Sequence, residues 1–280
     1  MEKLLITEQL LRRFANHLRD EEKSPATLDK YAREAKRFAG YAGKRAVDRR
    51  TALAYKAKLG EEYPAVSANS MLAALNALFR FAGRDDLCVR QFRLQKEIYR
   101  PEERELTRDE YMKLIAEAER RRDPRGALIF QTICCTGIRI SELGYITVEA
   151  ARAGETSVSC KGKTRRIFII SALRKKLLSY CEKEGVESGP VFVTRGGRQI
   201  DRSNVWRRMK TLCTYAGIAP QKAFPHNLRH LFARTFYEQE HDISALADIL
   251  GHSSVNTTRI YIISTGAEHA KRMENMRLIE

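Results

Sequence analysis

The stretch Thr136-Gly137-Ile138-Arg139-Ile140-Ser141-Glu142-Leu143 divides the chain into two textures. Before it the sequence reads as one helix after another, the last expected over residues 127–143. After it, residues 156–160 alternate and residues 165–170 are rich in β-branched side chains. Lys161-Gly162-Lys163-Thr164 lies between these runs with the composition of a turn, so the pattern predicts a β-hairpin. Val191-Phe192-Val193 predicts a short third strand before Gly196-Gly197, and helices resume from about Asp201, near Phe224 and near Ile243. The expected fold is mainly α. It has an N-terminal helical bundle and then an α+β domain with a small antiparallel sheet. Within the dividing stretch, Arg139 sits among apolar residues, and arginine is rarely buried unless paired. It can pair with Glu142 and lock a helix, or it can serve an anionic ligand.

The first hundred residues carry only helical signals. Leu10, Leu11, Phe14 and Leu18 recur at helical spacing over residues 6–20. Ser24-Pro25 is an N-cap followed by proline at the first helical position. The helix it opens sets Leu28, Tyr31, Ala35, Phe38 and Tyr41 along one stripe, ending at Gly40 and Gly43. Lys30, Arg33, Lys36 and Arg37 fall largely off that stripe. Two further helices are expected over residues 47–59 and from Ser67 to Gly83. Residues 99–106 are polar, contain Pro101 and lack apolar periodicity, which reads as a linker. Thr107 with Glu110 three residues on is a capping box. The domains are therefore expected at 1–98 and 107–280.

The charge is lopsided. Across 280 residues, 51 Lys+Arg against 35 Asp+Glu give a net +16. That excess favours a polyanionic partner over the small substrates of an acidic metabolic enzyme. No apolar run of about 18 residues predicts a bilayer-spanning helix, so no membrane partner is expected. Glu2, Glu8 and Asp20 in an amphipathic N-terminus argue against a secretory signal. Cys88, Cys134, Cys135, Cys160, Cys181 and Cys213 form no CxxC and no zinc pattern. They read as thiols of a reducing cytosol, and the expected location is cytoplasmic.

Two more stretches carry chemistry. In Pro225-His226-Asn227-Leu228-Arg229-His230, a helix places His226, Arg229 and His230 on one face. Histidines at this spacing also occur in metal sites, but no glutamate lies between them and Arg229 would set a fixed cation beside the ion. An anion is the expected ligand, with no metal. In the second stretch, Leu250-Gly251-His252-Ser253-Ser254 precedes Thr257-Thr258-Arg259-Ile260-Tyr261. Gly251 reads as a helix C-cap, and His252 to Ser254 open the next helix.

Together with Cys160-Lys161-Gly162-Lys163, these stretches resemble the catalytic domain of the tyrosine recombinase (phage integrase) family, including its Xer-like members. They occur in the family's order and cover roughly residues 106–261. Cys160 stands where many relatives have glycine. The N-terminal helices resemble the family's core-binding, SAM-like DNA-binding domain. The resemblance implies the integrase catalytic fold for the second domain. It makes Arg139 the first catalytic arginine, Lys161 the hairpin lysine, and His226 and Arg229 the HxxR pair. His252 takes the late His/Trp position, Tyr261 is the nucleophile, and Glu142 and His230 support them. The implied function is a site-specific DNA recombinase that cuts and rejoins strands through a covalent 3′-phosphotyrosyl intermediate. No metal, ATP or other cofactor is implied.

That set is chemically coherent. Two guanidiniums, Arg139 and Arg229, can clamp the non-bridging oxygens of a phosphodiester with planar donors. Tyrosine titrates near pH ~10 and needs a proton acceptor, for which His226 is suited. Lys161 can protonate the departing 5′-oxygen. Double-stranded DNA is the expected partner, touched by Lys30, Arg33, Lys36 and Arg37 in the first domain and by Lys163 and Arg207 in the second. Residues 266–280 read as an amphipathic helix with Ala270, Met273 and Met276 on one side. By resemblance this helix docks on a neighbouring protomer, in a homo- or hetero-tetramer on DNA. Two other readings share parts of this pattern: a type IB topoisomerase-like nicking-closing enzyme, and a DNA-binding module with an idle catalytic set.

Overall fold

The computed structural model describes residues 4–94, 102–160, 163–194, 196–261 and 274–276. The chain divides into two compact units, Met1–Lys96 and Glu97–Glu280.

In the first unit, four helices follow from their caps. Thr7 accepts from the Leu10 amide and opens α1 (Glu8–Asp20). Ser24 and Pro25 open α2 (Pro25–Ala42), which runs through Gly40 and stops only at Gly43 (φ 61°). Asp48 accepts from the Thr51 amide (2.7 Å) and starts α3 (Arg49–Glu62) two residues later than the apolar pattern predicts. Val47 is instead bridged to Leu4. Pro64 precedes α4 (Ala65–Phe81). The buried faces meet around Phe38, whose ring lies edge-on to Phe79 (5.5 Å) and Tyr55 (5.0 Å). Asn69 and Asn76, on the same face of α4, act as side-chain bridges to the extended segment after it. Asn76 exchanges two bonds with the Val89 backbone (both 2.9 Å), and Asn69 does the same with Phe92 (2.7 and 2.9 Å).

The second unit opens with the expected capping box. Thr107 accepts from the Glu110 amide (3.2 Å) and Glu110 from the Thr107 amide (2.9 Å), starting α5 (Arg108–Arg120). There follow α6 (Pro124–Thr136), α7 (Val148–Ala153), β1 (Glu155–Cys160), β2 (Lys163–Phe168) and α8 (Ser171–Glu184). Four more helices complete it: α9 (Arg202–Tyr215), α10 (His226–Glu240), α11 (Ile243–Leu250) and α12 (Val255–Arg259). The fold is mainly helical with a small antiparallel sheet, as expected.

Three local expectations are corrected. The helix over 127–143 ends at Thr136, because Gly137 takes a left-handed conformation (φ 64°) beneath Phe232. Arg139 follows in extended backbone, and Ile140–Tyr145 form a 3-10 turn. The third strand is absent among the described residues. Val191 and Phe192 are buried, and their segment makes only isolated bridges, such as Val193 with Gln199. The hairpin pairs Cys160 with Lys163, so Lys163 and Thr164, expected in the turn, belong to β2.

The end of the expected linker is folded. Glu102–Arg104 make a 3-10 turn, the Arg104 carbonyl accepts from Asn227 (2.8 Å), and Glu105 and Leu106 are buried. Residues 95–101, Lys161, Gly162 and most of 266–280 lie outside the described residues. Among the described residues, no helix is long and apolar enough to cross a membrane.

Candidate active site

Among the described residues Arg229 is the largest fully buried side chain, 1% exposed, and no carboxylate of those residues pairs with it. Its charge is met instead by the C-terminal ends of two helices. Nη1 donates to the carbonyl of Gly137, which caps α6, and Nη2 to the carbonyl of Leu250 at the end of α11 (2.8 Å). Such carbonyls lack partners within their own helices and carry the negative end of the helix dipole. Burial, and then Arg139, lower the Arg229 pKa to about 10, which leaves it charged at neutral pH. Its buried Nε has no hydrogen-bond partner among the described residues.

Arg139 lies two residues beyond the carbonyl that Arg229 holds. Its conformation is set by Glu142, which accepts from the Arg139 amide (2.7 Å) and from its Nη1 (3.1 Å). Glu142 is only 4% exposed and also accepts from Arg165 of β2. Arg165 in turn donates to the Ile249 carbonyl of α11. Arg139 remains 38% exposed, so its pairing with Glu142 leaves part of the guanidinium open. The expected pairing with Glu142 is present, though it pins a 3-10 turn and not a helix, and the Arg139 side chain is also partly open to solvent.

α10 and α12 bring the remaining groups in. His226 and His230 share a face of α10 with ring centres 4.7 Å apart. Tyr261 is 7% exposed and packs against both, with its hydroxyl 3.4 Å from His226 Nε2. The His230 ring centre is 4.4 Å from that of Tyr261, and the His252 ring stacks on Tyr261 at 5.4 Å. His252 contacts Arg229 Nη2 through Nε2 (3.0 Å) and Thr258 Oγ1 through Nδ1 (2.8 Å). Burial, then Arg229, Arg139 and Arg165, lower the His252 pKa to about 4. His230 Nδ1 faces the buried Glu105 (3.6 Å).

These side chains border two adjoining hollows that share Arg139. One of about 570 Å³ is lined by Arg139, His226 and Arg229 together with Arg202 and Trp206. The other, of about 490 Å³, is lined by Arg139, Glu142, Arg165 and His252. The buried cation and one imidazole line the first hollow, the other imidazole lines the second, and the half-exposed Arg139 joins the two, a setting suited to an anion. The Tyr261 phenol lines neither and packs behind the imidazoles.

The sequence pattern of the Phage integrase family matches residues 104–268, and that of the phage integrase N-terminal SAM-like domain matches residues 11–86. The chain belongs to the phage integrase family of tyrosine recombinases. It is 30% identical to tyrosine recombinase XerA of Thermococcus kodakarensis, over 97% of this chain and 96% of that one. It is also 30% identical to XerA of Pyrococcus furiosus, over 100% of this chain and 98% of that one. A lambda integrase tetramer bound to a Holliday junction shares the fold, with a TM-score of 0.74 at 20% identity over 93% of this chain and 78% of that one. XerH bound to palindromic difH in a post-cleavage complex scores 0.70 at 18% identity, over 90% and 79%. The function is that of a tyrosine site-specific recombinase, a DNA strand-transferring enzyme.

Five of the six catalytic candidates of this recombinase converge: Arg139, His226, Arg229, His252 and Tyr261. Lys161 lies outside the described residues. Glu142 and His230 occupy supporting places. The DNA-contact candidates are less uniform. Lys30 donates to Ser70, while Arg33 and Arg37 flank the buried Glu34 (3.2 and 3.4 Å). Lys36 is exposed. Arg207 is exposed on a separate groove of about 610 Å³ that Arg121, Arg125 and Arg208 also line. Lys163 opens β2, and its side chain lies outside the described residues. Sequence reasoning missed Glu105, Arg165 and Thr258. Only Arg165 had a local signal, an inward position on a strand whose neighbour Arg166 faces out to Glu155.

Proposed function

We propose that Tyr261 attacks a DNA phosphodiester held between Arg139 and Arg229, forming a 3′-phosphotyrosyl bond and releasing a 5′-hydroxyl strand. The arginines bind the non-bridging oxygens, where charge gathers during in-line displacement. The phenol passes its proton to His226 as the oxygen–phosphorus bond forms. The bond to the 5′-oxygen breaks, and Lys161 supplies the proton that this oxygen takes up. Attack by the 5′-hydroxyl of another strand reverses these steps and frees Tyr261. One phosphodiester is exchanged for another, so the bond energy is kept in the ester and no ATP is consumed.

The observation that carries this reading is the contact of the Tyr261 hydroxyl with His226 beside the buried Arg229. The net +16 supports double-stranded DNA as partner. Relatives bound to their sites as dimers, and to a Holliday junction as a tetramer, support assembly of this chain on DNA. Residues 266–280 are the segment proposed to join neighbouring protomers.

The test is covalent trapping on a nicked duplex that lets the released strand diffuse away. Its sequence comes from genomic fragments captured by the Tyr261→Phe protein. Wild type is expected to form a denaturation-resistant adduct, and Tyr261→Phe to bind without forming it. An adduct in Tyr261→Phe would remove Tyr261 from its role.

A further inference from the structure

The two oxygens of Glu142 are used unequally. Oε2 accepts from the Arg139 amide (2.7 Å) and from Arg165 Nη2, while Oε1 accepts from Arg139 Nη1 (3.1 Å). A guanidinium and a carboxylate left to themselves form two parallel bonds and cancel each other's charge. Here Arg165 and the backbone amide occupy Oε2, so Arg139 holds Glu142 by one side-chain N–H and keeps its other donors. One carboxylate between two guanidiniums leaves one positive charge over. Arg165 is 10% exposed, and its Nη1 donates to the Ile249 carbonyl at the end of α11, so both of its Nη atoms are engaged within the protein. Arg139 is 38% exposed and borders both hollows. The surplus charge therefore faces the site through Arg139.

We propose that Arg165 is a positioning residue for strand cleavage: it engages Glu142 from the far side and so leaves Arg139 free to take the scissile phosphate. The proposal rests on the reading of Arg139 and Tyr261 given above. Without Arg165, Glu142 closes on Arg139 as a two-bond pair and offsets the charge that the phosphate needs. It follows that the harm done by removing Arg165 comes from Glu142, and that removing the Glu142 charge as well undoes part of it.

The test uses the full-length protein, with the folding of each variant followed by Trp206 fluorescence. In single-turnover cleavage of the nicked duplex, Arg165→Met is expected to be about tenfold slower than wild type with DNA affinity kept, part of the roughly hundredfold that loss of a whole donor costs. Arg165→Gln, which keeps a donor for the Ile249 carbonyl and strains the fold less, carries the same expectation. Arg165→Lys keeps a charge beside Glu142 and is expected to recover most of the rate. Adding Glu142→Gln to Arg165→Met, or to Arg165→Gln, is expected to speed cleavage, although it removes a second buried partner. On a scissile methylphosphonate, which carries no charge, the gap between Arg165→Met and wild type is expected to close. A double variant no faster than its Arg165 parent would overturn the proposal and make Arg165 a plain support or a phosphate ligand. A gap of equal size on the neutral linkage would overturn it too. Inorganic phosphate gives a second readout that needs no cleavage. The rise it causes in the Trp206-monitored midpoint is expected to be smaller in Arg165→Met than in wild type and to return in the double variant. A phosphate response unchanged by Arg165→Met would overturn this proposal alone. Failure of wild type to form any covalent product would instead overturn the Tyr261 reading, and the phosphate comparison does not depend on that outcome.

Discussion

Replacing Glu142 with glutamine keeps the shape of the side chain and removes one negative charge. That charge is held at 4% exposure by the Arg139 amide, the Arg139 guanidinium and Arg165. The glutamine oxygen can still accept from the Arg139 amide. Its NH₂ group must then face a guanidinium, donor against donor. Removing one partner of a buried ion pair costs about 3–5 kcal/mol. Arg139 is 38% exposed and can turn part of its charge to water, which brings the expected loss to about 2–3 kcal/mol. For a unit of this size each kcal/mol moves the midpoint by about 2–4 °C, so Tm should fall by about 5–10 °C. The chain has one tryptophan, Trp206, and it lies in the second unit, so its fluorescence follows unfolding of that unit alone. Added inorganic phosphate should narrow the gap between Glu142→Gln and wild type, because a bound anion supplies the missing charge beside Arg139. A loss under about 0.5 kcal/mol, the range of ordinary surface substitutions, would refute the view that Glu142 holds the arginines in place.

Three further outcomes follow from local geometry. Gly251→Ala drives a Cβ into Arg165 Cδ at a left-handed backbone position (φ 66°). It should cost about 1–3 kcal/mol in the Trp206-monitored transition, and an unchanged midpoint would contradict the role of Arg165 beneath that turn. Asn76→Ala strands the buried amide and carbonyl of Val89 and should destabilise the first unit by about 2 kcal/mol, read by circular dichroism. The Trp206 signal should not move. His252 has its pKa lowered from the ordinary 6.5 to about 4, so its contribution is intact above pH 6.5 and lost as the pH falls through 4. Wild type should therefore lose more stability than His252→Gln between those values, by about 1–2 kcal/mol once the partial solvent screening of the ring is counted, and parallel pH curves would contradict it.

The helices were legible where a cap and a periodic stripe agree, as at Ser24-Pro25 and Thr107–Glu110. The break at Gly137 was visible as a glycine, yet Ile138, Ile140 and Leu143 continue an apolar pattern. Ile138 is buried just before the 3-10 turn and Leu143 within it, while Ile140 is half-buried, and composition does not separate this from a continuing helix. Val191-Phe192-Val193 has the β-propensity of a strand, but its burial comes from packing and it pairs only in isolated bridges. Within the site, the residues whose chemistry demands an anion announced themselves. Their supports did not. Glu105 looks like part of a polar linker, and its partners His230 and Arg234 lie far along the chain. Thr258 is one of two adjacent threonines, and only the fold shows which of them faces His252. Surface charge was the least legible feature. Lys30 and Arg37 look like free cations in sequence, but Ser70 holds the first, and Glu34 and the Tyr63 ring hold the second.

The central claim is that Arg139 and Arg229 neutralise the phosphate that Tyr261 attacks. It is tested most directly by removing the charge from either side of that contact. Arg139→Ala should cleave an ordinary nicked duplex at least about a hundredfold more slowly than wild type. It should recover most of that loss when the scissile phosphate is replaced by an uncharged methylphosphonate. An Arg139→Ala protein that cleaves the ordinary duplex at the wild-type rate, or that gains nothing from the neutral linkage, would contradict the account.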